Sequence, residues 1–123
     1  MTLLDTNVLI ELLKRNPQTQ AQICTLSQPP RISVLSIMEL IHGAHNKQEV
    51  ANIEHFLRVF ETLQLSSAIS ATALTLMRRY AKSHTLEMSD SLIAATALEH
   101  RIPLLTYNRK DFRFIHALEM VAP

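Results

Sequence analysis

Three short apolar runs, each followed by a helix-like pattern, constrain this chain more than any other feature. They fall at residues 1–4, 31–35 (RISVL) and 101–107 (RIPLLTY), and each is a compact apolar or β-branched segment of strand length. Between them Ile69, Ala73, Leu76, Met77 and Tyr80 recur at spacings of three and four, leaving Arg78, Arg79 and Lys82 on the opposite side. Similar stripes predict helices over 36–44, 47–59 and 89–100, and weaker edge strands are expected at 60–65 and 118–121. Two-residue hairpin turns of the Asn-Gly kind are missing, and the only glycine is Gly43. Strands that alternate with helices need crossover connections. The expected fold class is therefore α/β, with a mainly parallel sheet covered by helices on both faces.

A chain of 123 residues can bury a real core without disulfides or a structural metal. With 47% hydrophobic and 19% charged residues and no linker-like tract, a single folded domain over 1–123 is expected. The first residues carry no basic segment, and no apolar stretch approaches the roughly 20 residues of a membrane span, so neither a signal peptide nor a membrane helix is expected. The single Cys24 cannot form an intrachain disulfide, which fits a reducing cytoplasm with Cys24 as a small core residue. A net charge of +1 says little, because nucleic-acid binders are marked by clustered basic residues.

The acids say more. Only three of the eleven acidic residues are Asp, namely Asp5, Asp90 and Asp111. Asp5 ends the first apolar run, Asp90 opens the helix SDSLIAATAL, and Asp111 follows the last run within TYNRKDF. Glu39 is the one charged residue in SVLSIMELIHG, a stretch otherwise fit for burial. In an open parallel sheet ligands gather beyond the carboxyl ends of the strands, so all four carboxylates can reach one sheet edge. Each also has a structural explanation. Asp5 suits a helix N-cap, Ser36 with Glu39 has the form of a capping box, Asp90 suits a helix dipole, and Asn108 with Asp111 reads as a helix start. Four acids in one cleft repel, and a hard divalent cation such as Mg²⁺ or Mn²⁺ relieves this with oxygen ligands. The six histidines form no zinc-like pair; His42 and His45 are read as surface residues. A cation held by acids most often serves phosphate chemistry.

In order and over nearly the full length, LLDTNVLIELL, SIMELIHGA, SDSLIAATALEHRIPLLTYN and RKDF resemble the PIN-domain ribonucleases. The chain is most similar to the small toxin halves of VapBC-type bacterial toxin–antitoxin pairs. That resemblance implies a three-layer α/β/α sandwich, Mg²⁺- or Mn²⁺-dependent endonucleolytic cleavage of RNA, homodimers and inhibition by a cognate antitoxin. It matches Asp5, Glu39 and Asp90 to the family's first three acids. The fourth often stands two residues after the threonine. Here that position is Asn108, and Asp111 lies three further on, so either can complete a second, weaker metal position. Thr6 and Thr106 match hydroxyl positions that orient the acids or the attacking water.

RNA phosphates approaching such a cleft call for basic residues at its rim. Arg109, Lys110 and Arg113 are the candidates beside Asp111, with Lys14 and Arg15 second, and Tyr107 is the aromatic nearest the site. Two other readings share the length and pattern. A phospho-acceptor signalling domain needs an aspartate ending a middle strand, and no Asp occurs between Asp5 and Asp90. A catalytically impaired PIN fold kept as a binding module is the alternative that the asparagine at 108 leaves open.

Overall fold

The structure, a computed structural model, describes residues 1–121. Ala122 and Pro123, the end of the expected 1–123 domain, lie outside the described residues. Four strands, β1 (Leu3–Leu4), β2 (Arg31–Ser33), β3 (Glu61–Leu63) and β4 (Leu104–Leu105), form one parallel sheet in the order β3-β2-β1-β4. A further parallel bridge joins Leu104 to Met120, within the edge segment expected at 118–121. Six helices connect them: α1 (Thr6–Leu13), α2 (Pro17–Cys24), α3 (Val34–His42), α4 (Lys47–Leu57), α5 (Ser67–Tyr80) and α6 (Met88–His100).

Side chains of a strand alternate between its two faces, and here that alternation divides the interior into two cores. Leu3 and Leu104 pack with Ile69, Ala73 and Leu76 of α5 and with Ile93, Ala94 and Ala97 of α6. Leu4, Leu105 and Ile32 pack on the other face with Val8, Leu9 and Leu12 of α1, Leu40 of α3, and Ile53 and Leu57 of α4. The register Leu3↔Leu104 and Leu4↔Leu105 keeps these sets apart. The result is a three-layer α/β/α sandwich, as expected.

The strands are shorter than the sequence suggests, for local reasons. Ser33 accepts a hydrogen bond from the Leu35 backbone N–H at 3.1 Å, which starts α3 at Val34 and ends β2 two residues early. Arg101 takes a left-handed conformation that caps α6, and Pro103 has no N–H for a ladder, so β4 is confined to Leu104–Leu105. Helix α2 was not expected, because PQTQAQIC has no apolar stripe and only Thr19 of it is buried. Its signal is Asn16 followed by Pro17, a side-chain cap and a proline in the first turn. Cys24 closes this helix and is exposed, which corrects its expected place in the core.

The chain steps from β1 to β2 to β3 in one direction, then returns past β1 to place β4 on its other side. The sheet order therefore reverses between β1 and β4, and a crevice opens there at the carboxyl ends of the strands.

Candidate active site

Asp5 stands at that crevice as the residue after β1, and only 6% of its surface is exposed. Its Oδ1 accepts from the Thr6 backbone N–H at 2.8 Å, so it does cap α1. Its Oδ2 accepts from the Thr106 hydroxyl at 2.8 Å, across the switch point from the end of β4. That hydroxyl in turn accepts from Asn7 Nδ2 at 3.3 Å and from the Asn108 N–H at 3.0 Å. Asn7 Oδ1 accepts from the Tyr107 N–H at 3.2 Å, which completes a lattice tying the start of α1 to the loop after β4. Asp5 is held like a rigid part of the sheet.

Beyond Asp5, toward β2, Thr6 Oγ1 donates to Glu39 Oε1 at 2.8 Å. Since that spends its only proton, the fully buried Ser36 hydroxyl donates to Thr6 Oγ1, also at 2.8 Å. Glu39 itself is exposed, so the burial cost expected for it does not arise. With α3 starting at Val34, Ser36 and Glu39 sit inside the helix and form no capping box; Ser33 is the cap. Asp90 lies in the first turn of α6 and is part-buried, and Asp111 ends a short 3-10 turn, Arg109–Asp111. The fully buried Phe112 anchors that turn to the core beneath it. Asp90 and Asp111 line one recess of about 320 Å³ together with His84, Thr85, Leu86 and Glu87.

The four acids feel one another. Burial pushes Asp5 above the ordinary 3.8, the hydrogen bonds from Thr106 and Thr6 pull it back, and the charges of Glu39 and Asp111 push it up again. Asp90 is pushed up to about 7, first by burial and then by Asp5, Asp111, Glu39 and Glu87. No hydrogen bond among the described residues offsets that rise. Among the described residues, however, no three His, Cys, Asp or Glu side chains are gathered closely enough to share an ion. In donor chemistry the cluster fits a hard divalent cation, since it offers carboxylate, hydroxyl and amide oxygens and an excess of negative charge.

Of the basic residues expected at the rim, Arg109 has its Nη1 donating to the Val121 carbonyl at 2.7 Å. Lys110 and Arg113 are exposed and make no ion pair among the described residues. Lys14, paired with Glu11 at 3.4 Å, lines a groove that also includes Thr6 and Glu39, while Arg15 is exposed. Tyr107 has its hydroxyl within 2.9 Å of Thr19 Oγ1 and 2.8 Å of Gln22 Oε1, which anchors the ring to α2. Asn7 was missed by sequence reasoning, and Ser36 was read only as part of a capping box, not as the support of Thr6. Asn7 follows Asp5 and Thr6 directly, but only the fold shows that its amide spans to Thr106.

An acid-lined crevice at the switch point of a parallel α/β/α sandwich is the class that fold and site define. Residues 2–116 match the model of the PIN domain, and the chain belongs to that family. No curated protein sequence matches it significantly. Among solved structures it is similar to a chain of a toxin–antitoxin complex from Klebsiella pneumoniae, at 29% identity and a TM-score of 0.83, covering 100% of this chain and 98% of that one. FitAcB from Neisseria gonorrhoeae gives 27% identity and a TM-score of 0.78, with 100% and 98% covered. VapBC-1 from nontypeable Haemophilus influenzae gives 26% and 0.81, with 98% and 96% covered.

Proposed function

We propose that this chain is a metal-dependent endoribonuclease that hydrolyses RNA phosphodiester bonds and acts as the toxin of a toxin–antitoxin pair. The observation that carries this reading is Asp5, a buried carboxylate at the switch point, electrostatically coupled to Asp90, Glu39 and Asp111. Family membership and the likeness to chains of toxin–antitoxin complexes support it. Asp5, Glu39 and Asp90 would hold Mg²⁺ or Mn²⁺, with Asp111 or Asn108 at a second, weaker position. Such an ion supplies a Lewis acid and lowers the pKa of bound water enough for attack on phosphorus. Thr106 fixes the orientation of Asp5, and Ser36 with Thr6 fixes Glu39. The exposed Lys110 and Arg113 are the candidates for phosphate contact; Arg109 has its guanidinium engaged elsewhere.

The cognate antitoxin would inhibit it by covering the acids, with an Arg or Lys among them as a substitute cation. We also read the chain as one nuclease domain over 1–123, because both cores share a single sheet. A homodimer is supported by exposed apolar side chains such as Val59 and Met88. No helix among the described residues is long and apolar enough to cross a membrane. A cytoplasmic setting is favoured by the single, exposed thiol of Cys24.

A second reading, a catalytically impaired binding module, is favoured by the finding that no three acids among the described residues are gathered closely enough to share an ion. One experiment separates the two. Purified chain is incubated with cellular RNA and Mg²⁺ or Mn²⁺, and the cleaved ends are mapped. Discrete ends that vanish in excess EDTA are expected, with growth arrest on expression alone relieved by the protein of the adjacent gene. Cleavage that persists in EDTA sinks the metal mechanism, and intact RNA under all conditions leaves the binding module.

A further inference from the structure

We infer that His84 is an RNA-binding residue whose Nε2 hydrogen-bonds to a ribose 2′-hydroxyl beside the cleavage point, so that it selects RNA over DNA. The inference rests on the nuclease reading only for the position of the strand. His84 lines the recess that also holds Asp90 and Asp111, so a nucleotide next to a phosphate at the acids passes it. Its ring is fixed in place, stacked on Phe114 with centroids 4.3 Å apart and planes at 15°, and edge-on to Tyr80 at 5.5 Å. The backbone is fixed as well. The N–H groups of His84 and Leu86 both point to the Tyr80 carbonyl, at 3.0 Å and 3.3 Å. Thr85 between them is held at φ 56°, a left-handed conformation that a β-branched residue adopts only when its surroundings impose it.

One ring nitrogen is already engaged by the chain itself. Ser83 Oγ donates to the Arg79 carbonyl at 3.1 Å and lies 2.8 Å from His84 Nδ1. That leaves Nε2, an atom without a partner among the described residues, as the ring atom a ligand can reach. A phosphate would bring its charge against the carboxylates of Glu87, Asp90 and Asp111 in the same recess. A ribose 2′-hydroxyl carries no charge and both donates and accepts, so it can bond to the ring nitrogen in either role, and it is the group that distinguishes RNA from DNA.

The test compares binding of two fluorescein-labelled single strands of one mixed sequence, RNA and DNA, in an Asp90→Asn background that leaves the strands uncut. His84→Ala and His84→Phe should each weaken RNA binding by about three- to tenfold, the worth of one hydrogen bond, and leave DNA binding unchanged. His84→Gln, which returns a side chain that both donates and accepts, should recover part of the loss. Phe keeps the stack on Phe114, so a purely structural His84 predicts that His84→Phe binds like its parent. Equal losses for RNA and DNA, no loss at all, or no RNA binding by the parent would each overturn the inference. Wild-type protein that discriminates RNA from DNA yet cuts neither would overturn the nuclease reading alone.

Discussion

Asp5 and Asp90 reach one cleft from two regions built in opposite ways. Asp5 sits on the sheet, buried, with each carboxylate oxygen accepting a hydrogen bond. Asp90 sits in the first turn of α6, part-buried, with neighbouring acids and no hydrogen bond among the described residues to offset them. Burial raises the pKa of both, but only Asp5 has donors that pull it back. The helix dipole should favour charge on Asp90 and is outweighed, since burial and four like charges still push it up to about 7. One region stabilises a carboxylate with the protein's own donors. The other leaves a carboxylate without such donors, and under the proposed function a cation would complete its charge from outside.

The largest expected effect breaks the side that the protein leaves incomplete. If Asp90 binds the ion directly, Asp90→Asn should lower Mg²⁺-dependent RNA cleavage by at least about a hundredfold, beyond the 10–100-fold typical of groups that merely orient a ligand. The circular dichroism spectrum should stay unchanged. Retention of most activity would move Asp90 out of the ion's reach.

The same contrast predicts an unusual pH response. Asp90 ionises near 3.8 when unfolded and near about 7 in the fold, so between those values the folded state holds the extra proton. Its contribution is fully present below 3.8 and is lost as pH rises through about 7, and Asp5 acts in the same direction. Urea unfolding in EDTA should therefore show stability falling between about pH 4 and about pH 7. Asp90→Asn should flatten that slope, and Mg²⁺ should restore stability at neutral pH. A slope unaffected by Asp90→Asn would mean that Asp90 is solvated and uncoupled.

Thr106→Val attacks the side the protein completes. The hydroxyl is buried, donates to Asp5 and accepts from Asn7 and Asn108, so its loss should destabilise by about 1–3 kcal/mol. Urea titration at neutral pH measures this, and a change within error would mean that water replaces the hydroxyl.

Much of this was legible because chemistry and topology coincide. Asp5 and Asp111 fall beyond apolar runs that become strands, and a parallel sheet brings such ends to one edge, whereas Asp90 opens α6 after the loop from α5 and is carried there by a helix packed on the sheet. What sequence could not supply was which of two similar residues acts. Ser33 and Ser36 are three apart in one segment; one caps α3, and the other is buried under Thr6. Periodicity also failed for α2, whose helical signal lies in Asn16 and Pro17 and not in a stripe. Arg109 looked like a rim residue because neighbouring charge is visible in sequence, whereas its hydrogen bond to the Val121 carbonyl is a product of the fold.

The smallest stability change is expected at Asp5 itself, where two opposing effects meet. Asn caps a helix about as well as Asp, so the bond from the Thr6 N–H survives Asp5→Asn. The contact with Thr106 does not survive so simply, because that hydroxyl already accepts from Asn7 and Asn108 and would now face either a weaker neutral acceptor or an amide donor. About 1 kcal/mol is lost there. Against it, the substitution removes a buried charge that Glu39 and Asp111 repel, which stabilises the metal-free protein. The net change in EDTA should stay within about 1 kcal/mol of zero. Mg²⁺ separates the roles that EDTA leaves cancelled: wild type should gain stability with the logarithm of its concentration, and Asp5→Asn should lose most of that gain. A variant that responds to Mg²⁺ as wild type does would reduce Asp5 to a helix cap and leave the cation to the side of the cleft that Asp90 occupies.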